Sequence, residues 1–519
     1  MSAAMQGDFA LAHGDLRSAA RAYAQAAQHG HDAELAARAF ELAIALPDAA
    51  LAQRSLARWR ALGITPLQSA SAHYALALAE ADLPATRVAL AQLTAFGTPG
   101  WLAALRSLAN TRDRAFAARA LRLTMTAATL PAAQPGLWLA AGQLARQLGE
   151  PAYALQLAQA LHARSNAAVA ALWLAQQQQA AGDAAQADAT LDAGLRRHPH
   201  DIGLRLARAS QLAAAQPARA LALLARGPQD DETYALRAAI GVRSRDTGAV
   251  RALYMQLTAL PRAQRSSHAW LLGQLAEWLR QPHAALDWYA EVPVAGRHGF
   301  EAELRRAALL DQIGQPAQAR TLAAQLAEQS FDDPDDYRRA TLLQAELSYR
   351  AGDYAASVAA YNRILLFQPQ DADALYGRGV AQAEAGRTDA AIADFRAVLH
   401  LQPDNVEAQN ALGFTLADAR RDLPEARALI AAALQAQPHN AAIVDSWGWV
   451  NYRQGDYATA VQALRRAWRL DRSAEIGAHL ARALWAAGQH AQARTVLAQA
   501  ARLDPRARGV LAASAELKP

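Results

Sequence analysis

Residues 341–369 read TLLQAELSYRAGDYAASVAAYNRILLFQP, and residues 375–403 read LYGRGVAQAEAGRTDAAIADFRAVLHLQP. The two stretches share one layout at a constant offset of 34 residues. In each, an apolar segment ends in an alanine–glycine pair, a second apolar segment follows, and a proline closes the copy. The turn glycines and closing prolines are Gly352, Gly386, Pro369 and Pro403. Glycine tolerates the backbone that ends a helix, and proline stops the next one. Each copy is therefore predicted to be a pair of helices joined by a tight turn.

The layout continues toward the C-terminus, with Pro438, Gly455 and Gly488 at nearly the same period. A small residue followed four positions later by a large one marks each second helix: Ser357 and Tyr361, Ala391 and Phe395, Ala426 and Ile430, Ala460 and Leu464, Ala493 and Leu497. A further small residue marks each first helix: Ala345, Gly379, Gly413, Gly448 and Ala481. Helices approach closely only where small residues face each other, and we expect the large residue to fill the groove of the neighbouring pair.

This pattern resembles the tetratricopeptide repeat, whose consensus is W-x2-L-G-x2-Y, then A-x3-F-x2-A, then P. The resemblance is strongest over 338–505, where only the loop 418–424 lacks the turn glycine. At roughly 34 residues per unit, the expected fold is an all-α, right-handed α-solenoid of about fifteen helix pairs. The expected organisation is given by four ranges: partly degenerate helical repeats over 1–200, degenerate repeats over 201–337, five regular repeats over 338–505 and a C-terminal tail over 506–519.

Composition disfavours several classes of function. The formal charge is +5, but Lys518 is the only lysine, and the arginines are spread over most helices, so a nucleic-acid partner is not expected. A chain without cysteine has no disulfide, thiol nucleophile or thiolate metal site. The longest stretch without Asp, Glu, Lys or Arg, residues 123–145, is interrupted by Pro131, Pro135 and Gly136, so no transmembrane segment is predicted. The N-terminus shows no signal-peptide pattern.

No catalytic, cofactor or metal site is predicted, because lysine-dependent and H-E-x-x-H or G-x-S-x-G chemistry lacks the necessary residues. Two acidic motifs invite a metal interpretation. The segment 331–336, Phe-Asp-Asp-Pro-Asp-Asp, could be a calcium loop, and Asp371 with Asp373 forms a D-x-D motif. Both precede a predicted helix, so helix capping is the favoured interpretation. A hydrolase site within 201–262 is the alternative that an enzyme would require.

In this repeat class the first helices line the concave face, and the second, fifth, ninth and twelfth positions of each unit project into it. These positions are predicted to bind a protein or peptide partner: Tyr349, Tyr376, Asn410, Phe414, Asp445, Trp449, Tyr452, Arg482 and Trp485. Exposed aromatic side chains, with an asparagine to bond a peptide backbone, suit an extended peptide or a docked helix. Tyr376, Asn410 and Asp445 stand at fifth positions and argue against an acidic C-terminal tail as the ligand.

Three segments carry a narrower resemblance: Asn410-Ala-Leu-Gly-Phe-Thr-Leu-Ala-Asp418, Asp445-Ser-Trp-Gly-Trp-Val-Asn-Tyr-Arg453 and Ala478-His-Leu-Ala-Arg-Ala-Leu-Trp485. They are similar to the LbcA family, proteobacterial repeat lipoproteins of the outer membrane. The resemblance implies a periplasmic adaptor that binds a carboxyl-terminal processing protease and presents substrates such as cell-wall hydrolases. This chain lacks the signal peptide and the lipidated cysteine of that family, so the resemblance implies either that this start lies downstream of the true one or that the lipoprotein segment was removed.

The expected function is therefore a non-enzymatic scaffold or adaptor that binds protein. An alternative with the same architecture is a scaffold for exopolysaccharide synthesis or secretion. A cytoplasmic regulatory adaptor is the alternative if Met1 is the true start, so the location stays open between periplasm and cytoplasm.

Overall fold

The computed structural model describes residues 2–46 and 48–517. These residues form 32 helices and no strand. The chain divides into two compact units, Met1–Leu253 and Tyr254–Pro519. Fifteen successive helix pairs account for the fold, together with one short helix and one unpaired C-terminal helix. The predicted all-α repeat architecture is confirmed.

The helices of the first unit are α1 (Ala3–Ala12), α2 (Leu16–His29), α3 (Ala33–Ala45), α4 (Ala49–Ala61), α5 (Pro66–Ala79), α6 (Leu83–Thr94), α7 (Thr98–Ala109), α8 (Arg114–Thr124), α9 (Pro135–Gln147), α10 (Pro151–Arg164), α11 (Ala168–Ala180), α12 (Ala184–Arg197), α13 (Ile202–Leu212), α14 (Pro217–Ala225) and α15 (Asp231–Arg243). The division between the units falls inside α16 (Thr247–Thr258).

The helices of the second unit are α17 (Arg262–Ser267), α18 (Ala269–Trp278), α19 (Pro282–Ala290), α20 (Gly299–Gln312), α21 (Pro316–Gln329), α22 (Pro334–Arg350), α23 (Tyr354–Phe367), α24 (Ala372–Glu384), α25 (Thr388–Leu401), α26 (Val406–Asp418), α27 (Leu423–Ala436), α28 (Ala441–Arg453), α29 (Tyr457–Leu470), α30 (Ala474–Ala486), α31 (His490–Leu503) and α32 (Arg508–Glu516). We call the first helix of each pair A and the second B. In this unit the A helices are the even-numbered ones from α18 to α30, and α32 stands in the next A position.

In several pairs a large B-helix side chain packs against a glycine of the A helix. A β-carbon placed on Gly379 would lie 2.7 Å from Phe395 Cε1, and one on Gly413 would lie 2.6 Å from Ile430 Cγ1. Both large side chains are almost fully buried. They lie against the glycine of their own pair and also pack, as expected, in a cluster with residues of the neighbouring pairs. The small residue thus sets how closely the two helices of one repeat approach.

The turn between A and B helices keeps its geometry where the glycine is missing. Gly386 has φ 74° and donates its N–H to the Ala383 carbonyl at 3.0 Å. Arg420 has φ 53° and donates its N–H to the Ala417 carbonyl at 3.1 Å. The same substitution occurs in three weaker repeats, at Ala81, Arg245 and Arg280. A side chain in this left-handed conformation costs about 1 kcal/mol, so these repeats retain the fold without the residue that makes them recognisable.

The acidic motifs cap helices. The Asp333 carboxylate accepts the N–H groups of Asp335 and Asp336, each at 3.1 Å, at the start of α22. Asp371 Oδ1 accepts the Ala374 N–H at 3.0 Å and caps α24. Capping satisfies backbone donors that a helix start leaves free, and the capping interpretation of both motifs is confirmed. Among the described helices, none has the length and apolar character that crossing a membrane demands.

The A helices form the inner side of the second unit. From α20 onward each A helix packs against the next A helix. Residues 508–516, which the sequence analysis places in a tail, form α32 and pack on α30. The Arg508 guanidinium, at the start of α32, also pairs with Glu384 at the end of α24, at 3.0 Å. Five successive A helices, α24 to α32, are therefore joined at their extremes by one ion pair.

Candidate protein-binding surface on the A helices

All nine predicted binding residues lie on A helices, from α22 to α30. Seven of them are half-buried: Tyr349, Tyr376, Asn410, Phe414, Tyr452, Arg482 and Trp485. Asp445 and Trp449 are buried, with 7% and 1% of their surface exposed. The expectation that Trp449 presents an exposed ring is therefore wrong, because side chains of its own and neighbouring repeats cover it.

Trp449 is enclosed by aromatic and charged groups from three A helices. Its ring stacks on Tyr452 at 5.0 Å and on His479 at 4.1 Å. The Arg453 guanidinium lies 4.5 Å from the ring centroid. The indole Nε1–H donates to Asp418 Oδ1 at 3.2 Å. A buried indole with its N–H satisfied and with two stacked aromatic neighbours is a structural centre rather than a contact surface.

The charges around Trp449 are compensated within the protein. His479 Nδ1 lies 2.9 Å from Asp445 Oδ2, and both side chains are buried. The Arg482 guanidinium lies 5.6 Å from the Trp449 ring and pairs with Glu516 of α32 at 2.8 Å. Because Asp445 is already in contact with His479 and Arg482 is already paired with Glu516, neither can bind a charged ligand without breaking a contact within the protein.

Sequence reasoning missed four residues of this cluster: Asp418, Arg453, His479 and Glu516. The sequence spacing of these residues could have revealed them. Complementary residues stand one repeat apart, 34 positions for Asp445 with His479 and 35 for Asp418 with Arg453. One period along the chain places two residues at equivalent points of adjacent A helices, where their side chains meet.

The half-buried tyrosines lie beside carboxylates. Burial raises the pKa of Tyr376, and the Glu407 carboxylate raises it further. Burial likewise raises the pKa of Tyr349, with Glu384 nearby. These phenols therefore stay neutral at physiological pH and offer a hydrogen-bond donor together with an apolar ring face.

The structure gathers six of the nine predicted residues around one aromatic core: Tyr376, Phe414, Asp445, Trp449, Tyr452 and Arg482. Phe414 joins this core through the His479 ring, at 5.9 Å. Tyr349 instead packs against Tyr354 of its own repeat, at 5.6 Å between ring centroids. Trp485 packs against His490, at 4.3 Å.

Asn410 supplies an unsatisfied hydrogen-bond acceptor on this surface, where the Arg482 Nε atom is also without a partner in the described part of the chain. Within residues 48–517, its Oδ1 atom is buried but accepts no hydrogen bond from the protein. A buried acceptor without a donor is costly unless a ligand or water supplies one, and a peptide N–H is a suitable donor. The described residues contain no cluster of three or more His, Asp or Glu side chains arranged to hold a metal ion.

Family models described as the tetratricopeptide repeat match four stretches of the chain: residues 304–368, 344–411, 411–475 and 452–517. A curated relative is the TPR repeat-containing protein PA4667 of Pseudomonas aeruginosa, which is 32% identical over 209 residues. The match covers 40% of this chain and 35% of that protein. The chain thus matches about a third of the length of this relative.

Two solved structures of tetratricopeptide-repeat proteins resemble parts of the chain. One, from Parabacteroides merdae, has 12% identity and a TM-score of 0.42, and covers 49% of this chain and 98% of its own. The other, from Thermus thermophilus, has 22% identity and a TM-score of 0.32, and covers 35% of this chain and 98% of its own. The family models, the 34-residue period and the helix pairs agree that residues 304–517 are similar to an array of tetratricopeptide repeats.

Proposed function

We propose that this protein is a non-catalytic adaptor that holds a polypeptide segment along the A helices α22 to α30. Tetratricopeptide repeats suggest a scaffold for protein–protein interaction. The observation that carries the proposal is the unsatisfied Asn410 Oδ1 atom among half-buried aromatic side chains on the inner side of the second unit. An extended peptide supplies both what Asn410 lacks and apolar side chains for Tyr376 and Phe414.

The chemistry of the surface selects the kind of segment. Asp445 and Arg482 are paired internally, so a neutral or mixed segment with apolar anchors fits better than a strongly acidic tail. The core around Trp449 holds Tyr452 and Phe414 in place before any ligand arrives. Preorganised aromatic anchors lose little side-chain entropy on binding, which favours affinity.

A narrower proposal follows from the resemblance of 410–485 to the LbcA family. The partner would be a carboxyl-terminal processing protease or one of its cell-wall hydrolase substrates, and the setting would be the bacterial cell envelope. The 32% identity to a Pseudomonas aeruginosa repeat protein is consistent with a proteobacterial relative.

The test compares the full-length chain with an Asn410→Ala/Tyr376→Ala double variant. Purified processing protease and a purified hydrolase are each titrated onto the immobilised chain by surface plasmon resonance. We expect a loss of affinity of at least about 2 kcal/mol, roughly thirtyfold, with the helical circular-dichroism spectrum retained. The matched control is Leu470→Ala, on the B helix α29, where the side chain is 44% exposed. Equal affinities of the double variant and the control would refute the A-helix surface, whereas no binding by the unaltered chain would refute the named partners.

A further inference from the structure

An apolar patch lies at the edge of the second unit, where repeats are joined. Phe331 follows α21, Tyr337 lies in the first turns of α22, and Phe367 is the last residue of α23. The three ring centroids are 5.5 to 6.1 Å apart, and each pair of rings meets edge to face. Phe331 and Phe367 are each 59% exposed, and the adjacent Leu366 is 75% exposed. We call these four residues the edge patch.

The edge patch is exposed although its rings already pack together. Three aromatic side chains in mutual contact, next in sequence to an exposed leucine, form an apolar area of the kind that marks interaction sites. Large aromatic residues also dominate binding energy at interfaces. None of the four residues belongs to the A-helix surface assigned above, because they occupy a loop, the start of an A helix and the end of a B helix.

Two carboxylates stand next to edge-patch residues in sequence, and the arginines that follow them already have ion-pair partners. Asp332 and Asp335 flank Phe331 and Tyr337 in sequence, and neither has an ion-pair partner among residues 48–517. By contrast, Arg338 is held by Asp371 and Asp373, and Arg339 is held by Glu301 and Asp336. The electrostatic potential at the edge patch is therefore negative, because Arg338 and Arg339 are already paired with other carboxylates.

We propose that the edge patch is a second docking surface, for a protein segment in which an apolar side chain is flanked by arginine or lysine. The apolar side chain covers the Phe331 and Phe367 rings, and its basic neighbours pair with Asp332 and Asp335. Arginine adds contact with the aromatic faces. Because the patch is separate from the A-helix surface, the protein holds two partners, or two parts of one partner, at the same time.

The experiment uses the full-length chain and two fluorescein-labelled synthetic peptides. One peptide is Ser-Arg-Leu-Trp-Arg-Ser, and the other has glutamate in both arginine positions. Binding is followed by fluorescence anisotropy at low and at high salt. We expect the basic peptide to bind at least about tenfold more tightly than the acidic one, and its affinity to fall several-fold at high salt. A Phe331→Ser/Phe367→Ser variant is expected to lose at least about tenfold in affinity for the basic peptide.

The matched control is Leu503→Ser/Leu511→Ser, which removes two side chains of similar exposure, 53% and 56%, elsewhere in the same unit. This control is expected to bind the basic peptide as the unaltered chain does. Equal binding by the phenylalanine variant, or equal binding of both peptides, would overturn the proposal. Sedimentation velocity provides the third arm. If the unaltered chain dimerises and the phenylalanine variant does not, the occupant is a second copy of the chain and the proposed partner is wrong.

Discussion

The variant Trp449→Ala tests whether Trp449 is a packing residue of the repeat array or part of its binding surface. The change removes a ring that is 1% exposed and stacks on His479 at 4.1 Å and Tyr452 at 5.0 Å. It also removes the hydrogen bond to Asp418 and the ring that Arg453 covers at 4.5 Å. Replacing a buried tryptophan by alanine costs about 3 to 5 kcal/mol. The lost stacking and cation–π contacts favour the upper half of that range, about 4 kcal/mol.

The effect should be local, because the stability of a repeat array is roughly a sum of terms from adjacent units. A single melting temperature describes such a chain poorly, so hydrogen exchange with mass spectrometry is the suitable assay. A loss of 4 kcal/mol corresponds to roughly a thousandfold faster exchange in the peptides of α26, α28 and α30. Peptides of α2 and α3 in the first unit should be unaffected.

The matched control is Trp485→Ala, which truncates a half-buried tryptophan against His490. We expect this change to cost about 1 kcal/mol and to accelerate exchange about fivefold. If Trp449→Ala accelerates exchange in α28 no more than Trp485→Ala does in α30, Trp449 is not a packing centre, and the assignment of its contacts is wrong.

Three further changes test the packing, the turns and the caps. Gly448→Ala places a methyl group against Leu464 and should destabilise the C-terminal repeats by about 1 to 3 kcal/mol. The control Gly136→Ala lies in an exposed helix start with open space around it and should not destabilise the protein. Urea unfolding followed by circular dichroism compares the two variants, and equal shifts of the unfolding midpoint would count against close packing at Gly448. Arg420→Gly relieves a left-handed side chain and should slow exchange in α26 and α27 by an amount worth about 1 kcal/mol; faster exchange would contradict this. Burial opposes ionisation of Asp371, but Arg338 and the N–H of Ala374 lower the pKa of its carboxyl overall. The ionised Asp371 therefore contributes fully to folding stability above the unfolded pKa of about 4, and this stability is lost as the pH falls through the lower pKa of the folded state. Stability of the unaltered chain should therefore fall more steeply below pH 4 than that of Asp371→Asn, and parallel pH profiles would refute this linkage.

The repeat fold could be read from the sequence because its determinants are local and periodic. Gly386 and Pro403 mark a turn and a helix end by backbone geometry alone, and Gly379 with Phe395 marks a close helix pair. The weaker repeats were harder to recognise because a turn such as the one at Arg280 keeps its left-handed geometry without glycine. Backbone conformation is held there by the packing of the two helices, which no single residue reveals.

The candidate site was less predictable than the fold. Counting repeat positions placed Trp449 on the inner side of α28, and it does lie on an A helix. Its burial depends on His479, one repeat further along, and on Asp418, one repeat back. Residues of the adjacent repeats decide together whether a side chain is buried. A position within one repeat therefore predicts the helix face on which the side chain lies, but not how exposed it is.

The ion pair between Arg508 and Glu384 is a salt-sensitive contact between two distant A helices. It links helices 124 residues apart in sequence, and its arginine side chain is 74% exposed. An exposed pair of this kind contributes at most about 1 kcal/mol and weakens as salt is added. The contact between the first and the last of the five A helices α24 to α32 should therefore loosen as the ionic strength of the solution rises.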